Sequence, residues 1–165
     1  MTISRTDTVI VVGFLILVQG TGALAGFWLP AIAPEVGQSL GLSPSLIAYP
    51  VLILYIFAMV SSLMAGGIVR RFGAWRSSQA ALILIGVSHL MFMNGSLLFL
   101  ALGSIILGGA YGLLTPPASH LLSKIVTPKN RNLIFSIRFT GVPLGGILAG
   151  LLAPSVALEY GWRES

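Results

Sequence analysis

The stretch LIAYPVLILYIFAMVSSLMAGGIVRRFGAWR, residues 46–76, decides the fold. From Leu46 to Val69 it carries no charged side chain, and it ends abruptly on the bases Arg70, Arg71 and Arg76. Hydrocarbon offers backbone amides no water, so a chain that crosses it must satisfy them internally, which an α-helix of roughly 20 apolar residues does. Leu46 to Val69 meets that length, with its bases waiting at one rim.

Working outward, four further segments pass the same test: about Val9 to Leu29, Ser77 to Met93, Leu97 to Leu122 and Leu133 to Leu158, each free of Asp and Glu. The expectation is an all-α polytopic bundle of five transmembrane helices. Breakers fall between the segments: Pro30 and Pro34 with Gly37 and Gly41, then Arg70 to Arg76, Asn94 with Gly95, and Thr127 to Arg131. Connections this short leave no room for a soluble domain, so function belongs inside the bundle or on its rims. Composition agrees, since the 165 residues are 56% hydrophobic and only 8% charged, against roughly 25% charged in a soluble domain. The absence of cysteine excludes a disulfide frame, a thiolate metal site and a cysteine nucleophile.

The net charge of +5 is distributed by side. Arg5, Arg70, Arg71, Arg76, Lys124, Lys129 and Arg131 fall on alternate connections, while the opposite side holds Arg163 with Glu35, Glu159 and Glu164. Bases near helix ends are retained in the cytoplasm, which puts the amino terminus inside and, with five spans, the carboxyl terminus outside. The basic balance is thereby explained by the lipid bilayer, with no nucleic-acid partner. Ala23-Leu24-Ala25 after Arg5 and an apolar run imitates a signal-peptide cleavage site. Asp7 and the continuing apolar run through Gly26, Phe27 and Leu29 argue against it, and Trp28 suits an interfacial anchor.

Two motifs carry a family resemblance. Gly66-Gly67-Ile68-Val69-Arg70-Arg71-Phe72-Gly73-Ala74-Trp75-Arg76 resembles the loop signature of the major facilitator superfamily, in which Arg71, Gly73 and Arg76 fit and Arg70 stands where the family usually has Asp. Ser136-Ile137-Arg138-Phe139-Thr140-Gly141-Val142-Pro143-Leu144-Gly145-Gly146 resembles a bacterial branch that typically reads Ser-Ile-Lys-Gln-Thr-Gly-Val-Pro-Leu-Gly-Gly, so Arg138 and Phe139 are departures. Ser104 also departs, standing where many members carry an intramembrane Arg. The resemblance implies a bacterial inner-membrane protein of two six-helix halves, built from inverted repeats and rocking about a midplane site. It makes this chain a fragment or truncated form: the amino-terminal half short of its sixth helix, lacking the carboxyl-terminal six-helix half as a partner. Residues 66–76 would then be a gating loop, without the charge role of the missing Asp at Arg70.

Several residues are candidates to meet a solute. On the fourth span, Ser104, Gly108, Tyr111, Thr115 and Ser119 recur at helical spacing on one face. The resemblance makes spans one and four cavity walls, so Tyr111 and Thr115 are candidate hydrogen-bonding groups, while Ser104, Gly108 and Ser119 read as packing. Pro116 and Pro117 predict a kink. In the first span Gln19, Gly20, Thr21 and Gly22 interrupt the apolar run, and Gln19 and Thr21 are candidate contacts, with an interhelical hydrogen bond as the alternative. Arg138 is the sharpest residue, because a base inside a span is costly and functional by default. Either it snorkels to the near rim, or it faces the cavity and favours an anionic small-molecule solute. Gly67, Gly141, Gly145 and Gly146 read as close-approach surfaces, with Gly66-Gly67 and Gly145-Gly146 meeting the other half, and Pro143 as a softener of the fifth span. His89 and His120 lack carboxylate companions, so neither a metal nor another cofactor is expected.

The leading reading is a secondary transporter working by alternating access. The alternative is a non-transporting five-helix scaffold or accessory protein. An intramembrane enzyme would need a nucleophile with a base in reach, and none is visible.

Overall fold

The computed structural model describes residues 5–163, and Glu164 lies outside them. Every regular element among these residues is helical: α1 (Arg5–Ala31), α2 (Ala33–Leu40), α3 (Pro44–Phe72), α4 (Ala74–Phe92), α5 (Leu97–Gly112), α6 (Thr115–Ile125), α7 (Arg131–Phe139) and α8 (Gly141–Tyr160). The chain folds as a membrane helix bundle. Four stretches are long and apolar enough to cross a bilayer: Asp7–Ala31, Ser45–Phe72, Leu97–Ile125 and Arg131–Tyr160. The third expected span corresponds to α4, 19 residues long, whose ends carry Arg76, Gln79 and His89 and dilute its apolar character.

Two of the expected spans are each split in two, and prolines account for both breaks. Pro116 and Pro117 have no N–H to donate to the carbonyls of Gly112 and Leu113. The chain tightens there, with Leu113 N bonding Ala110 O at 3.0 Å and Leu114 N bonding Tyr111 O at 3.2 Å, and α6 starts afresh at Thr115. Pro143 likewise denies a donor to the Phe139 carbonyl. Thr140 N turns back to Ile137 O at 3.1 Å, which separates α7 from α8.

The connections are tighter than the breakers imply. Pro30 lies inside α1, and the Pro34 to Gly41 connection forms the short helix α2, closed by Gly41 at φ 65°. The expected loop at Arg70 to Arg76 shrinks to one residue. Gly73 alone separates α3 from α4 at φ 82° and ψ 157°, a conformation open to glycine and strained for any other residue. Its carbonyl accepts from Ser77 N at 3.2 Å and from Ser77 Oγ at 2.8 Å.

Packing between helices depends on missing side chains. α1 lies along α8, and α5 lies between α3 and α4. A methyl group on Gly145 would run into the Gly20 carbonyl, and one on Gly141 would sit 2.6 Å from the Ile16 carbonyl. Gly108 and Gly112 do the same service against the Leu54 and Ala58 carbonyls of α3, where Ser61 Oγ also donates to Gly109 O at 2.6 Å. In lipid, where burial of apolar surface gives helices no net attraction, such backbone contact and interhelical hydrogen bonds supply the association. The outer surface is correspondingly apolar: Leu63 is 82% exposed and Leu151 is 65% exposed, a surface suited to acyl chains.

The helices alternate in direction. Trp28 of α1 with Ile32 just past it, Phe92 of α4 with Met93 just past it, Leu100 of α5 and Trp162 share a cleft at one end. Thr8, Ile125, Thr127 and Asn130 meet at the other, the end that also carries the α3–α4 turn and its bases. Gly108→Val should therefore lower the melting temperature of the purified protein sharply, whereas Gly86→Ala, with open space around its α-carbon, should leave it unchanged. Equal effects would contradict this packing.

Candidate functional site

The two helix breaks converge on one polar cluster. Arg138 is in the last turn of α7, Thr115 opens α6 with Ser119 one turn on, and Gln19 faces them from α1. Arg138 is fully buried and Gln19 is 4% exposed. Of the two directions open to Arg138, the guanidinium takes the inward one. Nη2 donates to Gln19 Oε1 at 2.6 Å, and Nη1 donates to Ser119 Oγ at 3.3 Å. Thr115 Oγ1 donates to the same Gln19 oxygen at 3.5 Å. Because a guanidinium has no acceptor, the Gln19 side chain must present its oxygen to it. The Phe139 ring lies 4.8 Å from Arg138 Cζ and supplies a π face to the cation.

What the cluster lacks is a counter-charge. The two hydrogen bonds leave Nε without a partner, and no carboxylate pairs with Arg138 among the described residues. A base in this position costs roughly 3 kcal/mol even on permissive insertion scales. Position relieves part of this cost, since a cation near a helix C-terminus meets the negative end of its dipole.

The other candidates lie around this centre. The Tyr111 ring packs over α1, 3.5 Å from where a methyl on Gly26 would stand, one turn above Thr115. Thr21 lies on the open side of α1, its hydroxyl donating to Leu17 O at 2.9 Å, and is not drawn into the cluster. The expected polar stripe divides between partners: Gly108 packs on α3, Ser104 is fully buried with its hydroxyl unpartnered, and Ser119 binds Arg138. Ser119 was the contact that the packing reading overlooked, although it stands one turn from Thr115 on the same face.

Gly66, Arg70, Arg71, Gly73 and Arg76 are all exposed at the α3–α4 turn, and Arg71 stacks on the Phe72 ring at 5.3 Å. Among the described residues nothing lies within 4 Å of where a methyl on Gly67 would stand, whereas one on Gly146 would sit 3.4 Å from the Phe27 ring. Gly145, expected at the surface facing another half, is instead buried against α1. His89 Nδ1 lies 3.0 Å from Ile85 O with its ring edge-on to Phe92, and no cluster of metal-ligating side chains occurs among the described residues.

A bundle of apolar helices, two of them interrupted where a polar centre forms, has the build of the membrane proteins that carry solutes past discontinuous helices. The family model described as Major Facilitator Superfamily matches residues 11–165, and the chain belongs to that superfamily. It is similar to the gallate transporter of Pseudomonas putida, 29% identical over 148 residues covering 86% of this chain and 31% of that protein. It is also similar to the Homo sapiens solute carrier family 2, facilitated glucose transporter member 10, 28% identical over 109 residues covering 65% of this chain and 20% of that protein. The chain thus spans less than a third of either relative.

Gln19→Leu should destabilise the purified protein more than Ser119→Ala, because two buried donors lose their acceptor rather than one, at about 1–3 kcal/mol for each unsatisfied donor. Thermal melts in detergent test the order. The reverse order would show that Gln19 is not the shared acceptor.

Proposed function

We propose that the protein moves a small anionic solute across the bacterial inner membrane by alternating access, with Arg138 as the charge partner of the solute and Gln19, Thr115 and Ser119 around it. The observation that carries this reading is a fully buried guanidinium held only by neutral acceptors. A carboxylate entering beside it gains charge-assisted hydrogen bonds in a water-poor setting. The name of the Pseudomonas putida relative supports the same chemistry, since gallate is an aromatic carboxylate. Tyr111, one turn from Thr115, is placed to flank an aromatic ring.

The breaks at Leu113–Leu114 and Thr140 supply the compliance such a cycle needs. α6 and α7 tilt against the rest of the bundle as binding energy shifts the population between inward and outward arrangements. The remaining half of a twelve-helix transporter closes the cavity from the other side, meeting the open face near Gly67. α4 completes a five-pass layout in this chain, with the amino terminus cytoplasmic.

Uptake of labelled gallate by cells expressing the full-length protein tests the reading. Arg138→Ala should lose uptake by at least about tenfold at equal membrane abundance, one tenfold step being 1.4 kcal/mol. Arg138→Lys should keep part of it, because the charge persists while the fork geometry is lost. Wild-type rates in Arg138→Ala would remove the proposal.

Orientation has its own test. Residues 1–165 contain no cysteine, so Gln38→Cys and Lys129→Cys, introduced after any cysteine elsewhere in the full-length protein is replaced, label specifically. A membrane-impermeant maleimide should modify Gln38→Cys in intact cells and Lys129→Cys only after permeabilisation. The opposite pattern would invert the topology.

A further inference from the structure

We propose that Gln19 sets the charge specificity of this site, acting as a neutral acceptor that holds Arg138 in place without cancelling its charge. The inference rests on the anionic-solute reading above and adds the residue that makes it possible. Its basis is the geometry of one oxygen. Gln19 Oε1 accepts from Arg138 Nη2 at 2.6 Å and from Thr115 Oγ1 at 3.5 Å, so a single carboxamide ties α1 to both interrupted helices. A carboxylate of the same length would satisfy the same two donors and would bond the guanidinium more strongly. The sequence instead places an amide there.

The difference is one of charge alone. An amide orients the guanidinium through its oxygen and leaves the cation uncompensated, so an incoming anion finds a full positive charge. A carboxylate at position 19 would form an internal ion pair, and a solute carboxylate would then have to displace a bound charge or accept a site with no net attraction. The second acceptor, Ser119 Oγ, is also neutral, and so is the Phe139 ring over the cation. All three partners position Arg138 without discharging it.

The position of the tie adds a mechanical consequence. Gly20 is the next residue along α1, and its carbonyl is in contact distance of any side chain placed on Gly145. A solute that takes over Nη2 from Gln19 releases α7 from α1 beside the Gly20–Gly145 contact between α1 and α8. Solute charge is thereby coupled to movement of the segment that follows the Thr140 break.

Gln19→Glu isolates charge from shape. In full-length protein at neutral pH, this variant should lose labelled gallate uptake by tenfold or more and should melt at a higher temperature than wild type, because Arg138 gains a buried counter-ion. Both effects should fade on acidification, because protonation of the introduced carboxyl restores a neutral side chain. Wild-type protein, carrying an amide, should show neither pH dependence at this site. The melting measurement needs no solute, so it reads the pair even if the variant transports nothing.

Gln19→Glu that transports gallate like wild type while Arg138→Ala does not would overturn the role of Gln19 alone. Wild-type transport by both variants would overturn the anionic-solute reading beneath it. Unchanged melting of Gln19→Glu between acidic and neutral pH, relative to wild type, would show that position 19 does not face the cation and would also overturn the proposal.

Discussion

One buried guanidinium organises the centre of this bundle. Arg138 sits in a span whose solvent is hydrocarbon, where a lone cation is among the most costly groups a chain can insert. The fold meets that cost with three neutral partners drawn from three places: Gln19 of α1, Ser119 of α6 and the Phe139 ring at the end of α7. None of them removes the charge. The proline-induced breaks are part of the same solution, because they end α7 just after Arg138 and begin α6 at Thr115, delivering a helix C-terminus and a fresh hydroxyl face to one spot.

Lipid as solvent explains the rest of the architecture. Backbone amides are satisfied inside the helices, large apolar side chains such as Leu63 and Leu151 point outward, and contact between helices falls to glycines. The two close pairs, α1 with α8 and α3 with α5, both rest on carbonyl oxygens that approach where a side chain is missing. Surfaces of this kind interlock without large knobs, so a helix can shift along its neighbour at small cost, provided the polar ties at the centre can be exchanged.

Much of this was legible in the chain itself, and the parts that were not have definite reasons. The apolar runs disclosed the all-helical membrane bundle, since that signal is local; of the five expected spans, four are long and apolar enough to cross a bilayer. Pro116, Pro117 and Pro143 announced the breaks for the same reason. The short helix α2 was hidden because Pro34, Gly37 and Gly41 read as breakers, although Pro is favoured in a first helical turn and Gly just past the last. The direction of Arg138 could not be read locally: a base two turns from a rim can snorkel or turn inward, and the choice was made by Gln19, 119 residues away along the chain. Ser119 was visible on the face of Thr115, but a hydroxyl in a span is as useful for packing as for recognition. Nothing local distinguished the two until Arg138 was placed.

The central claim is that the site recognises negative charge through an uncompensated cation. Equilibrium binding of gallate and of its uncharged amide to the purified full-length protein in lipid nanodiscs tests it most directly, because the two ligands share ring, hydroxyls and shape and differ in one charge. The account predicts that gallate binds at least about tenfold more tightly, a difference of 1.4 kcal/mol, and that the preference vanishes in Arg138→Ala. Equal affinity for the acid and the amide in the wild-type protein would contradict it.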